Sequence, residues 1–171
     1  FTMGEAASPG LEMLAEDGSP TTLVEELSMH AKTADAVAVG DGASEAGPIG
    51  PGGSYSFTVT AHPGQRLSFG TMFVQSNDLF YAPDPAGIPL FSDDEPIDGD
   101  VTDMVELWDA GTEVNEEPGA GPNQAPRQSG PDTGESEDGT VRLVDEVDDG
   151  YDYPAVADVI SVTITPGGMD G

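Results

Sequence analysis

Four short apolar runs, set apart by long stretches of Gly, Pro, Asp and Glu, decide what this chain can fold into: residues 54–60 (SYSFTVT), 67–74 (LSFGTMFV), 104–108 (MVELW) and 159–164 (VISVTI). Runs of this length and density build strands. In the first, Tyr55, Phe57 and Val59 point one way and Ser54, Ser56, Thr58 and Thr60 the other, the period-2 signature of a half-buried strand. A turn at His62-Pro63-Gly64 leads into residues 66–76, so the two segments are expected to form an antiparallel hairpin. Further strands are expected at residues 36–39, 101–109, 140–147 and 159–165, the last ended by Pro166-Gly167-Gly168. Residues 83–99 and 110–138 read as irregular, the second an unusually long acidic loop.

Two helices are expected at the front. Ser8-Pro9 supplies an N-cap with Pro at the first helical position, followed by Leu11, Met13, Leu14 and Ala15, and Gly18 stops the run. Ser19-Pro20 repeats the start signal, and Leu23, Val24, Leu27 and Ala31 share one helical face with Glu25 and Glu26 on another. Several strands after two short helices indicate one all-β domain over residues 1–171, an antiparallel β-sandwich with helical decoration and long acidic loops, and not an alternating βαβ sheet.

Charge narrows the partners. With 33 acidic residues against 4 basic ones the formal charge is -29, which excludes a nucleic-acid interface, because phosphate neutralisation needs clustered Lys and Arg. Lys32, Arg66, Arg127 and Arg142 are the only cations. High charge with 6% aromatics also suits a disordered chain, but the clustered apolar runs favour a folded domain with an acidic coat. Molar salt, which shortens the Debye length to about 3 Å, removes most of the self-repulsion, so a halophilic archaeon is the expected source. A mesophilic protein using divalent counterions is the alternative. Cysteine is absent, so neither disulfides nor thiolate metal sites arise. No apolar stretch spans a bilayer, so no membrane insertion is expected, and the start at Phe1 suggests that a leading segment has been removed.

The chain carries no nucleophile elbow, zinc-protease helix, P-loop or dinucleotide fingerprint, and His30 and His62 fall in a helix and a turn without a partner in sequence. No enzyme is expected. What this composition supplies is oxygen ligands for a hard cation. EF-hand spacing fails: a loop starting at Asp94 puts Pro96 third and Val105 twelfth, and one starting at Asp145 puts Val147 and Val156 there. The string Leu107-Trp108-Asp109-Ala110-Gly111-Thr112-Glu113 is more promising, since the only Trp ends a strand and two carboxylates follow across a glycine turn. Its plainer reading is a core Trp followed by an acidic loop.

With Ser76-Asn77-Asp78-Leu79-Phe80, Gly121-Pro122-Asn123-Gln124 and the opening FTMGEAASPGLEMLAEDG, this string makes the chain resemble the spondin-type amino-terminal domain, as found in F-spondin and in secreted prokaryotic proteins. The resemblance implies a C2-like antiparallel β-sandwich that binds calcium through loops at one end, with Asp78, Asp109 and Glu113 as ligands. Glu113 stands where animal members commonly have Asp, and Leu79 replaces a large aromatic. The family's opening stretch, with its first strand or strands, has no counterpart before Phe1, which leaves three explanations: a cleaved piece, an incomplete sequence, or a strand donated by a neighbouring subunit. The expected function is an extracellular or cell-surface calcium-binding adhesion or matrix module, partnered by calcium and by other surface proteins or itself. The alternative is a structural subunit of an extracellular filament assembled by strand donation.

Overall fold

The structure is a computed structural model that describes residues 1–30 and 34–167. Helix α1 (Pro9–Asp17) begins as its sequence dictates: Ser8 is extended and its Oγ accepts from the Leu11 amide at 3.3 Å. It ends at Gly18, whose φ of 66° lets its amide reach Leu14 O while the Ser19 amide reaches Met13 O. Helix α2 (Thr21–Ser28) packs so closely on α1 that a Cβ at Gly10 would lie 2.5 Å from the Leu23 Cα. Glu26 of α2 completes the joint, accepting from the Gly10 amide and the Ser8 hydroxyl. Ala31, expected on the α2 face, lies outside the described residues, as do Lys32 and Gly168.

The strands follow as β1 (Arg66–Leu67), β2 (Thr71–Met72), β3 (Leu79–Pro83), β4 (Ile88–Pro89), β5 (Phe91–Ser92), β6 (Glu95–Pro96), β7 (Gly99–Asp100), β8 (Val105–Asp109), β9 (Arg142–Leu143) and, after the short helix α3 (Val156–Val159), β10 (Thr163–Ile164). One antiparallel sheet has the order β2-β3-β8-β9, and three two-stranded ribbons pair β1 with β4, β5 with β6 and β7 with β10. The protein is therefore a mixed, loop-rich fold of small antiparallel sheets with helices at the front, and among the described residues these sheets do not close into a sandwich.

The β3–β8 pair is the centre, in register from Leu79 opposite Asp109 to Pro83 opposite Val105. Alternation sends Leu79, Tyr81, Val105 and Leu107 to one face, where they pack with Phe73, Ile88, Val101 and Val144. Phe80, Ala82, Trp108 and Ala110 take the other face, against Leu11 and Ala15 of α1 and Val141. Trp108 is a core anchor here: its Nε1 donates to Ala82 O at 3.0 Å, and the Phe1 ring meets it edge-on, centroids 4.9 Å apart. Residues Gly4 and Glu5 exchange backbone bonds with Val141, which covers the chain next to β9. A helix on one face, and loops with α3 on the other, hide the central sheet where a second full sheet was expected.

Several expected strands are shorter than their patterns or are replaced. Residues 54–60 join no sheet, so the expected hairpin with 66–76 does not form, and that segment is broken between β1 and β2, which join different sheets, and ends after β2. Residues 36–39 contribute only the bridge Val39–Ala46. Within 140–147, β9 gives way to a 3-10 turn at Val144–Glu146, and 159–165 divides between α3 and β10. Residues 83–99, expected irregular, hold β4, β5 and β6. Among the described residues no helix is long and apolar enough to cross a membrane.

Candidate metal site

The loops at one end of β3 and β8 are knitted by the Ser76-Asn77-Asp78 string. Ser76 Oγ accepts from the Leu79 amide and donates to Phe73 O, closing the turn into β3. Asn77 spans to the loop after β8, donating to Val114 O at 3.0 Å and accepting from the Glu116 amide at 3.1 Å. Asp78 Oδ2 accepts the amides of Thr112 and Glu113 at 3.0 and 3.1 Å. Its Oδ1 is buried without a partner. Burial, and then the charge of Asp109, push the Asp78 carboxyl up to about 8 in spite of those two amides.

Asp109, fully buried, is heavily engaged. Oδ1 accepts from the Gly111 amide at 2.6 Å, and Oδ2 accepts from Asn115 Nδ2 at 3.0 Å and from Arg142 Nε and Nη2 at 3.1 and 3.0 Å. Gly111 is required at this turn: its φ is 69°, and a Cβ would lie 2.6 Å from the Thr140 amide nitrogen.

Glu113 points elsewhere. It is 3% exposed, its Oε1 accepts from the Gly134 amide at 2.7 Å, and its Oε2 is buried with no partner. A Cβ at Gly134 would fall 2.1 Å from the Glu113 carboxyl, so only glycine lets the loop backbone come this close. Carboxylate oxygens of Glu113, of Glu16 near the end of α1, and of Asp132 in the long loop lie within 4.8 Å of one another. Glu16 is also 3% exposed. Burial, opposed by a hydrogen bond with Thr112 and reinforced by the charge of Glu113, pushes its carboxyl up to about 7. Burial likewise raises that of Glu113. The Thr133 hydroxyl, beside Asp132, is a further buried oxygen without a partner. Among the described residues no Lys or Arg pairs with any of the three acids.

This partly buried acidic triad can hold a metal ion. An all-oxygen carboxylate set suits a hard cation, which takes its remaining ligands from carbonyls, hydroxyls or water. The expected ligand Glu113 is part of the triad; Asp78 holds the turn that precedes it, and Asp109 is bound to Arg142. Glu16 and Asp132 were missed by sequence reasoning. A signal for Glu16 existed, because Glu16-Asp17 puts acids in the last turn of α1, against the helix dipole.

The long loop is held near the triad by its own hydrogen bonds. Glu116 accepts from the Asn123 amide and side chain at 3.0 and 2.6 Å, and buried Gln124 donates to Glu117 O and accepts from Arg127. Gln128 Nε2 donates to Asp17 at 2.9 Å, tying the loop to α1. A scan of protein-family models and searches of curated proteins and of solved structures find no match to this chain.

Proposed function

We propose that the protein is an extracellular calcium-binding module of the spondin type, serving adhesion or matrix assembly in a halophile. The observation that carries the reading is the buried, unpartnered Oε2 of Glu113 in a cluster with Glu16 and Asp132. Two buried carboxylates and the exposed Asp132, brought together with no Lys or Arg of the described residues beside them, are costly unless an ion offsets their charge. Calcium fits because it accepts six to eight oxygens at flexible geometry and leaves the outer positions to water. Glu16, Glu113 and Asp132 would hold it, joining α1, the turn after β8 and the long loop. We read the four-stranded sheet as one half of a C2-like sandwich whose other half is reduced to ribbons and α3.

Calcium titration calorimetry in molar KCl tests the assignment. Asp132→Asn, at an exposed position that leaves the core intact, should weaken binding about tenfold or more, as losing a charged ligand does. Asp109→Asn should lower stability in calcium and in chelator alike. Calcium affinity unchanged in both Asp132→Asn and Glu113→Gln would remove the site.

A further inference from the structure

Residues 46–65 contain no Asp, Glu, Lys or Arg, in a chain that elsewhere carries 33 acids. Within them lies the alternating segment 54–60 that the sheets do not use. Its inner side is occupied. Ser54 O accepts from the Asp41 amide at 2.8 Å, the Ser54 and Ser56 hydroxyls donate to Asp41 Oδ2 at 2.6 and 2.7 Å, and the Ser56 amide bonds the same carboxylate. Successive residues of an extended chain turn their backbone groups to opposite sides. With Ser54 and Ser56 turned toward Asp41, the N–H and C=O groups of Tyr55, Phe57 and Val59 face outward, and among the described residues none of them has a backbone partner. Phe57 is 52% and Val59 47% exposed.

We propose that this edge pairs with itself: residues 54–60 of one molecule add antiparallel to the same segment of a second copy, about a two-fold axis at Phe57. In that register Phe57 faces Phe57 and Tyr55 faces Val59, an aromatic against a β-branched side chain, which is a favourable cross-strand pair. The three outward residues form the hydrogen-bonded pairs of the ladder, about six bonds in all. That register is self-complementary, and the local charge permits the contact. Two bodies of charge -29 repel wherever carboxylate meets carboxylate, and this uncharged stretch lets them touch without that contact. Asp41, the acid bound to the segment, has its carboxylate tied to the inner side. A two-fold pairing uses up the edge on both copies, so it closes as a dimer and leaves no open strand to propagate. The inference is independent of the calcium reading.

Sedimentation velocity of the full chain in molar KCl, over a range of protein concentrations, tests it. The wild type should pass from monomer to dimer as concentration rises. Val59→Pro deletes the outward N–H on each copy but keeps the apolar patch, and Phe57→Asp sets acid against acid at the axis; each should weaken dimerisation about tenfold or more. Both positions are exposed, and an unchanged near-ultraviolet signal from Trp108 checks that the fold is intact. A wild type that stays monomeric throughout, or a dimer undiminished in both variants, overturns the proposal. So does a ladder of larger species, which would mean open-ended addition.

Discussion

Replacing Arg142 by Met tests whether Asp109 is held by a cation or by a metal. Arg142 makes two bonds to the fully buried Asp109 carboxylate, at 3.0 and 3.1 Å, and its side chain is 29% exposed. Removing one partner of a buried pair leaves an uncompensated charge and costs about 3–5 kcal/mol. The exposed part of the guanidinium admits water, which places this case near the lower end, about 3 kcal/mol. The second pair, to the partly exposed Glu137, adds less than about 1 kcal/mol. For a chain of this size each kcal/mol moves the melting temperature by about 2–4 °C, so Arg142→Met should melt roughly 6–12 °C below wild type. Thermal unfolding in molar KCl reads this out, with saturating calcium and again with chelator. Salt does little to rescue the variant, because buried pairs are weakly screened. In the double variant with Asp109→Asn much of the loss should return, since both halves of the pair are then uncharged. A loss under about 1 kcal/mol, or one that appears only when calcium is present, would refute the reasoning and return Asp109 to the metal site.

Three further outcomes follow from the same contacts. Gly134→Ala should drive the Glu113 carboxyl from the cluster and weaken calcium binding about 10–100-fold; affinity equal to wild type in a titration would show that Glu113 is not at the ion. Trypsin should cut after Arg127, at an exposed position in the long loop, about tenfold faster in chelator than in calcium, because on the proposed reading the ion would tie Asp132 of that loop to α1; equal rates by gel would break the link. In chelator, stability should fall as pH rises through the window from the ordinary value of 4.5 to about 7 for Glu16, and from 3.8 to about 8 for Asp78. Both carboxyls hold protons in the folded state that the unfolded chain has lost, so the slope of stability with pH is negative; a urea midpoint higher at pH 8 than at pH 5 contradicts it.

How much of this was legible in the sequence depended on whether the signal was local. Helix α1 was, because Ser8, Pro9 and Gly18 specify its ends through their own backbone chemistry. Strand β8 was, from its compact apolar run. Strand β3 was not: every residue from Leu79 to Pro83 is buried, and a strand covered on both faces loses the alternation that would mark it. The reverse error fell on residues 54–60, whose alternation is clear but whose edge meets no partner within the chain. Alternation reports the faces a segment offers, and pairing depends on what comes beside it. The candidate site divided in the same way. Glu113 was visible through the Trp108–Gly111 turn, while Glu16 and Asp132 join it only through packing of α1 and folding of the long loop, both non-local.

Cation scarcity explains why the buried carboxylates differ in what satisfies them. Among the described residues, Arg66 donates to Gly87 O and Arg127 to Gly121 O, so each spends part of its head on backbone. Arg142 is the one that reaches buried acid, and it goes to Asp109, whose other oxygen takes a backbone amide. Asp78 has no cation and relies on the two amides of the Thr112–Glu113 turn, which a carboxylate can use because amides are abundant where arginines are not. Glu16 and Glu113 are left. Glu113 has one amide, from Gly134, and an oxygen with nothing; Glu16 is raised to about 7 first by burial and then by that neighbour's charge. Among the described residues no Lys or Arg supplies the missing charge, which leaves a proton or an ion from solution to compensate these two acids. Asp132, exposed and brought to the same point by a loop that is itself hydrogen-bonded to α1, adds a third negative charge, and on the proposed calcium reading a divalent cation would offset more of the cluster's charge than a proton on one acid does.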